Sequence, residues 1–333
     1  MIVVVTTIAS PTKSMIGLSE SLQNGNRIIV IGDKKGPNAF DLRNADFYSL
    51  NKQQTLNYSL AKILPVGHYS RKNLGYLLAM SQGEKCIYET DDDNQPNNLW
   101  KKRSLEVKAL QAKNDSWVNV YAHFSDEKIW PRGFLLDRIN CEKSLPSVGE
   151  QLIDLQAPIQ QGLADNSPDV DAIWRLVADR PFYFQNKPSI ALAKGAWCPF
   201  NTQSTWWWEA AFPLLYLPSF CSFRMTDIWK SFIAQRCLWE MGHSLVFHAP
   251  EVVQDRNEHN LMRDFEAEIS GYLQNKKLTG ILEELPLLSG TDNVLDNMIT
   301  CYEALVKADI FPLDELGLVY AWANDLKEIQ KTK

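Results

Sequence analysis

The sequence predicts an α/β fold: a mostly parallel sheet flanked by helices, with a helical extension at the carboxyl end. Three observations predict it. Through the first ninety residues, short β-branched runs alternate with segments whose apolar residues recur at helical spacing, the pattern of a βαβ chain covered on both faces of its sheet. The strand-like runs stop at polar residues, namely Thr6 and Thr7, Asp33, and Asp91 to Asp93, and ligands of such sheets bind outside these carboxyl ends. From residue 258 to 331 only helical spacing remains.

Each element follows in order. "MIVVVTTI" is the first strand, and the polar "ASPTK" behind it opens a helix reaching residue 23. "NRIIVIGD" is a second buried strand that ends at Gly32 and Asp33. "NKQQTLNYSLAKIL" and "SRKNLGYLLAMSQG" read as helices, the latter with Gly83 as its carboxyl cap. "KCIYET" is the strand that delivers the three aspartates. Residues 100 to 225 are richer in turns and aromatics and include "IWPRGFLLD", "QQGLADNSPDVDAIWRL" and "NTQSTWWWEAAF". A long helix starts at Asp227 and closes near Gly242, and "HSLVFHAP" forms a late strand ending at His248. No internal repeat or low-complexity linker divides the chain, so a boundary near residue 250 is soft.

Composition narrows the function. With 333 residues, 45% hydrophobic and 22% charged, the chain has ample core for one large domain or two closely packed ones. A net charge of −6 disfavours nucleic acid as a partner. The six cysteines are scattered without a CxxC pair, as expected of reduced thiols in a cytosolic protein. No apolar run reaches the roughly 18–20 residues that span a bilayer, and the opening strand lacks the basic start of a signal peptide.

Three adjacent carboxylates repel one another, so "ETDDDN" asks for a cation or a solvated turn. A strand-end Asp-x-Asp suits Mn²⁺ or Mg²⁺, which prefer hard oxygen ligands and can bridge to a diphosphate. Together with "VVTTI", "IIVIGD", "YSRKNLGYLLAM", "WPRGF", "QQGLADNSPDVDAIWRL" and "FRMTDIWKSFIAQRCLWEMG", the aspartate stretch resembles, in the same order, the STELLO-type glycosyltransferases over roughly residues 3 to 260. The resemblance implies a GT-A fold, a Rossmann-like sheet. Its catalytic domain would be residues 1–250, with 1–100 the nucleotide-binding half and 101–250 the acceptor half. Residues 251–333 would be a helical region packed upon it. Plant members carry an amino-terminal membrane anchor, whereas this sequence opens on the first strand. A cytoplasmic protein is therefore expected, with peripheral membrane association and oligomeric state left open.

The GT-A plan assigns roles by resemblance. Thr6, Thr7 and Asp33 would line the nucleoside pocket, although the threonines could merely end a strand and Asp33 cap a turn. Arg71 and Asn73, beside a helix start, would face phosphate, while Lys72 is as readily a solvated surface charge. Asp91 would face the ribose and share the metal with Asp93, and Asp92 could serve either. Asp227 would be the catalytic base, a role compatible with simple capping. His248 would supply a third metal ligand, with His243 and His259 as weaker candidates and a buried structural histidine as the rival reading. Trp130, Arg132 and Asp171 would read sugar or acceptor hydroxyls, with Asp169 and Arg175 nearby; Asp171 and Arg175 could equally pair with each other. Trp206, Trp207 and Trp208 cannot all face one way, so most belong to the core.

The expected function is metal-dependent transfer of a sugar from a nucleotide sugar, with UDP the expected nucleotide, to a glycan or other hydroxyl acceptor. Two alternatives stand beside it: a nucleotide-sugar mutase of the reversibly glycosylated polypeptide type, and a non-catalytic GT-A binding or assembly protein.

Overall fold

The computed structural model describes residues 1–22, 25–256 and 260–332. The amino-terminal half builds as the β-branched runs require. Strand β1 (Ile2–Thr7) is followed by helix α1 (Lys13–Ser21), whose capping Thr12 accepts from the Met15 N–H at 3.1 Å. Strands β2 (Arg27–Gly32) and β3 (Ala45–Tyr48) lead to two short helices, α2 (Leu50–Gln54) and α3 (Ser59–Ile63). The spacing had suggested one helix there. Its continuity is broken because a residue far along the chain caps the second piece: Asp325 accepts from the Ser59 and Leu60 N–H groups at 2.7 and 2.8 Å.

Helix α4 (Lys72–Ser81) follows a 3₁₀ turn over Tyr69–Arg71, and strand β4 (Cys86–Thr90) carries the chain to the aspartates. Gly75 lets α4 lie directly on the sheet, since a Cβ there would stand 2.5 Å from Val4 Cγ1. The middle of the chain adds β5 (Asn94–Pro96), β6 (Glu106–Ala112), β7 (Val148–Gln156), β8 (Ile159–Asp165), helix α5 (Ala172–Ala178), β9 (Ile190–Ala191) and β10 (Ser204–Trp208). Helix α6 (Thr226–Glu240) and strand β11 (Val246–Gln254) precede the closing helices α7 (Leu261–Glu284), α8 (Val294–Lys307) and α9 (Asp314–Lys331).

Among the described residues one sheet runs β3-β2-β1-β4-β10-β8-β11-β9-β6-β7, with β5 on β11. Its first four strands are parallel throughout, and β8 is parallel to β11. Strand β10 enters antiparallel between β4 and β8. The tryptophans of β10 alternate as a strand demands. Trp206 and Trp208 pack on one face with Val3 and Tyr88, while Trp207 joins the larger cluster on the other. That larger cluster is continuous from Val4 and Leu74 through Phe232 to Leu278, Met298 and Trp322, so the closing helices share the core of the sheet. Strand β11 itself runs across residue 250.

Candidate active site

The carboxyl ends of β1, β2 and β4 open into a cavity of about 440 Å³ lined by Thr6, Thr7, Asp33 and all three aspartates. Each aspartate is held differently. Asp91 accepts from Tyr69 Oη at 2.5 Å and pairs with Lys72 Nζ at 3.1 Å. Asp92 accepts from the hydroxyl of Thr7. Among the described residues Asp93 receives side-chain donors from amides alone, Gln254 Nε2 at 3.0 Å and Asn94 Nδ2 at 3.3 Å. Burial, then the charges of Asp91 and Asp92, push its carboxyl up to about 7. Burial raises Asp92 as well. A carboxylate cluster so placed favours a cation.

At the end of β2, the Asp33 carboxylate gathers three backbone N–H groups, from Lys34 at 2.7 Å, Gly67 at 2.8 Å and His68 at 2.9 Å. It thereby pins the loop before α4 to the end of β2. Thr6 Oγ1 is buried at the cavity without a hydrogen-bond partner.

The rest of the lining is organised by Arg132. Its Nε and Nη2 donate to Asp169 at 2.7 and 2.8 Å, while Nη1 and Nη2 donate to Asp227 at 3.0 and 2.8 Å. One guanidinium thus clamps two carboxylates, each partner nearly sealed from solvent. Burial alone would lower Arg132, but Asp169 and Asp227 hold it well above its ordinary value. Burial would raise Asp169, yet Arg132 keeps it below its ordinary value. Asp227 lies in the first turn of α6 rather than at its cap, which is Met225.

Several expected site residues stand elsewhere. Arg71 is buried behind the cavity, where Nε donates to Gln53 Oε1 at 2.7 Å and Nη1 to the Leu64 carbonyl at 3.1 Å. Asn73 exchanges two hydrogen bonds with the backbone of Leu217, at 2.9 and 2.8 Å. Neither lines the cavity. Trp130 and Asp171 also lie outside it: Asp171 caps α5 and accepts from Trp130 Nε1 at 2.7 Å. Burial pushes its carboxyl up to about 6. Arg175 does not pair with Asp171, donating instead to Ser167 Oγ and the Pro168 carbonyl.

His248 is the clearest correction. The late strand does not end there but continues six residues to Gln254, about 20 Å at 3.3 Å per residue. His248 is therefore left on a different surface, buried between Ser189 Oγ (2.6 Å) and Gln160 Oε1 (2.9 Å). Burial lowers it far below its ordinary pKa. His243 is an exposed neighbour of the Gln156 carbonyl, and His259 lies outside the described residues. The strand end that does reach the aspartates brings Gln254 and Arg256.

Residues 224–332 match the family model described as STELLO glycosyltransferases. The Arabidopsis thaliana protein named Probable glycosyltransferase STELLO2 is 31% identical over 275 residues, 75% of this chain and 35% of that protein. Probable glycosyltransferase STELLO1 from the same plant is 30% identical over 273 residues, 74% and 34% respectively. The chain belongs to the STELLO glycosyltransferase family. It spans about a third of the length of these curated relatives. Whereas the motifs quoted above run over roughly residues 3 to 260, the STELLO family match begins at Arg224 and takes in the closing helices. Among the described residues no helix is long and apolar enough to cross a membrane.

Sequence reasoning missed several contributors. Lys72 is not a surface charge: it is fully buried and donates to Tyr69 Oη (2.8 Å) and the Thr90 carbonyl (2.7 Å) as well as to Asp91. Gln254 and Arg256 line the cavity without a motif to announce them, and Arg224, inside the quoted FRMTDIW stretch, was given no role. Glu268 of α7 accepts from Arg224 Nε (2.9 Å) and from the Ala172 N–H (2.8 Å), tying the cavity wall to a closing helix. The one available signal was a charged residue, Lys72, inside an otherwise apolar helical face.

Proposed function

We propose that this chain transfers a sugar from a nucleotide-sugar donor, with UDP as the nucleotide, to a glycan hydroxyl in the cytoplasm. The single observation that carries the reading is one cavity holding both a strand-end carboxylate cluster and Asp227, oriented by Arg132. Thr6, Thr7 and Asp33 suit a nucleoside: Thr6 Oγ1 has no partner among the described residues. The donor set fits Mn²⁺ or Mg²⁺. Among the described residues no three His, Cys, Asp or Glu side chains form a ready cage. Ions of this kind commonly take one or two carboxylates and complete their shell with water and phosphate. Asp93, held by neutral amides alone, and Asp91 would hold the ion. Such an ion supplies charge neutralisation of the departing diphosphate.

The chain's own residues do the rest. Asp92 is oriented by Thr7, and Lys72 pairs with Asp91 and fixes it at the strand end. Asp227 receives the acceptor proton, with both oxygens fixed in direction by Arg132 so that their remaining lone pairs are available. Calorimetry tests the reading. UDP should bind with Mn²⁺ present and lose at least about tenfold in affinity after EDTA, since unscreened carboxylates repel a diphosphate. Equal affinity in both conditions would remove the metal-bridged donor from the mechanism.

A further inference from the structure

Arg175 on α5 lines the same cavity yet, among the described residues, pairs with no carboxylate. It is 5% exposed. Among the described residues it meets only uncharged acceptors, Ser167 Oγ at 3.0 Å and the Pro168 carbonyl at 2.6 Å, both through Nη2. Its Nε is buried without any acceptor. The neighbouring cations are each satisfied: Arg132 by Asp169 and Asp227, Arg224 by Glu268 at 2.7 Å, and Arg256 by Asp264 at 2.6 Å. Buried charges in folded proteins are normally paired. A guanidinium left unpaired at a cavity wall, beside two further guanidiniums, is set for an anion that the protein does not provide. Burial, then the charge of Arg256, lower Arg175 to about 10.

We propose that Arg175, with Arg224 and Arg256 beside it, seats a carboxylate or phosphate carried by the sugar substrate, separate from the diphosphate of the donor. This rests on the nucleotide-sugar reading above and deepens it by naming the substrate class as acidic. The anion belongs either to the transferred sugar, as in a uronic acid donor, or to the acceptor. A fork of N–H donors matches either group, and a charged hydrogen bond of this type is worth roughly tenfold or more in affinity.

Calorimetry on the Mn²⁺-loaded protein separates the sources. A donor-borne anion predicts that UDP-glucuronate binds at least about tenfold tighter than UDP-glucose. An acceptor-borne anion predicts no donor preference, but tighter binding of glucuronate or glucose 1-phosphate than of glucose to the UDP-loaded protein. In both cases Arg175→Met erases the preference and leaves UDP affinity unchanged. Its melting temperature should stay near wild type, because no ion pair is lost; should the variant fail to fold, Arg175→Lys serves instead, keeping charge but losing most of the preference. The proposal is overturned if neither anion is preferred, or if Arg175→Met weakens UDP itself as strongly as it weakens the acidic ligands. Titration with glucuronate alone distinguishes the two layers: Arg175-dependent binding without any UDP binding keeps the anion seat and removes the nucleotide reading. Absence of both removes both.

Discussion

At the scale of single residues, like charge and burial give Asp93 a testable cost. Its carboxyl is raised to about 7 by burial, Asp91 and Asp92, against an ordinary value near 4. The folded state therefore holds an extra proton between about pH 4 and 7. Stability falls as pH rises through that window, by on the order of 4 kcal/mol if Asp93 alone carried the shift. Above pH 7 the penalty is fully present. In EDTA, Asp93→Asn should melt a few degrees above wild type at pH 8, with the gap closing by pH 5, where the wild-type carboxyl is already protonated. Calorimetric melts across this range decide it, and a gap that widens toward pH 5 would contradict the assignment. Asp227 differs because its charge is matched. Arg132 donates to both of its oxygens, so an asparagine turns an amide N–H toward a guanidinium. Asp227→Asn should cost about 1–3 kcal/mol of stability, measured by denaturant unfolding, and reduce transfer by roughly 10²–10⁴-fold. Full activity in a stable variant would move the base elsewhere in the cavity.

Elements show what the sequence could and could not reveal. Strands β1, β2 and β4 are legible because buried parallel strands read as continuous β-branched runs, and their polar ends mark the cavity by the same logic. Gly83 and Gly242, with φ of +77° and +74°, are legible as helix stops. The pair β6 and β7 was not legible: β7 is an exposed edge strand with polar residues on both faces, so it lacks a clean alternation. Strand β11 was read six residues short because Pro250 interrupts it. The sheet accommodates that proline with register shifts on either side of it, where β11 pairs β8. This slip carried the metal role implied by the resemblance onto His248, which is held by Ser189 and Gln160 away from the aspartates. The Arg132 clamp was beyond reach for another reason: its partners lie 37 and 95 residues away, and no local period encodes such pairing. Arg71 and Asn73 misled because a helix start favours phosphate in general, whereas here Gln53 and the Leu64 carbonyl hold Arg71 behind the cavity and the Leu217 backbone holds Asn73.

For the whole molecule, the closing helices are structural parts of the site, and removing them tests this. Asp325 of α9 caps α3 in the amino-terminal part of the chain, and Trp322 Nε1 donates to the Pro213 carbonyl at 3.0 Å. Glu315 binds Tyr216 Oη at 2.5 Å and the Phe220 N–H at 2.7 Å, fixing the segment that leads to Phe223 and Asp227. Glu268 neutralises Arg224 and holds the start of α5, where Arg175 resides. Leu278, Leu282, Met298, Leu305, Val319 and Trp322 are buried in the same cluster as the sheet. A buried side chain of this kind contributes about 1.5–3 kcal/mol, so losing a handful exceeds the roughly 5–15 kcal/mol that holds a typical domain folded. A chain cut after residue 256 should therefore lose its cooperative melt and its UDP binding together, although the aspartates, Arg132 and Asp227 all remain. Circular dichroism melts and calorimetry on the truncated chain check this. A truncated protein that melts cooperatively and binds UDP at wild-type affinity would show instead that α7 to α9 are an appended layer, leaving the cavity wall to be held by the sheet alone.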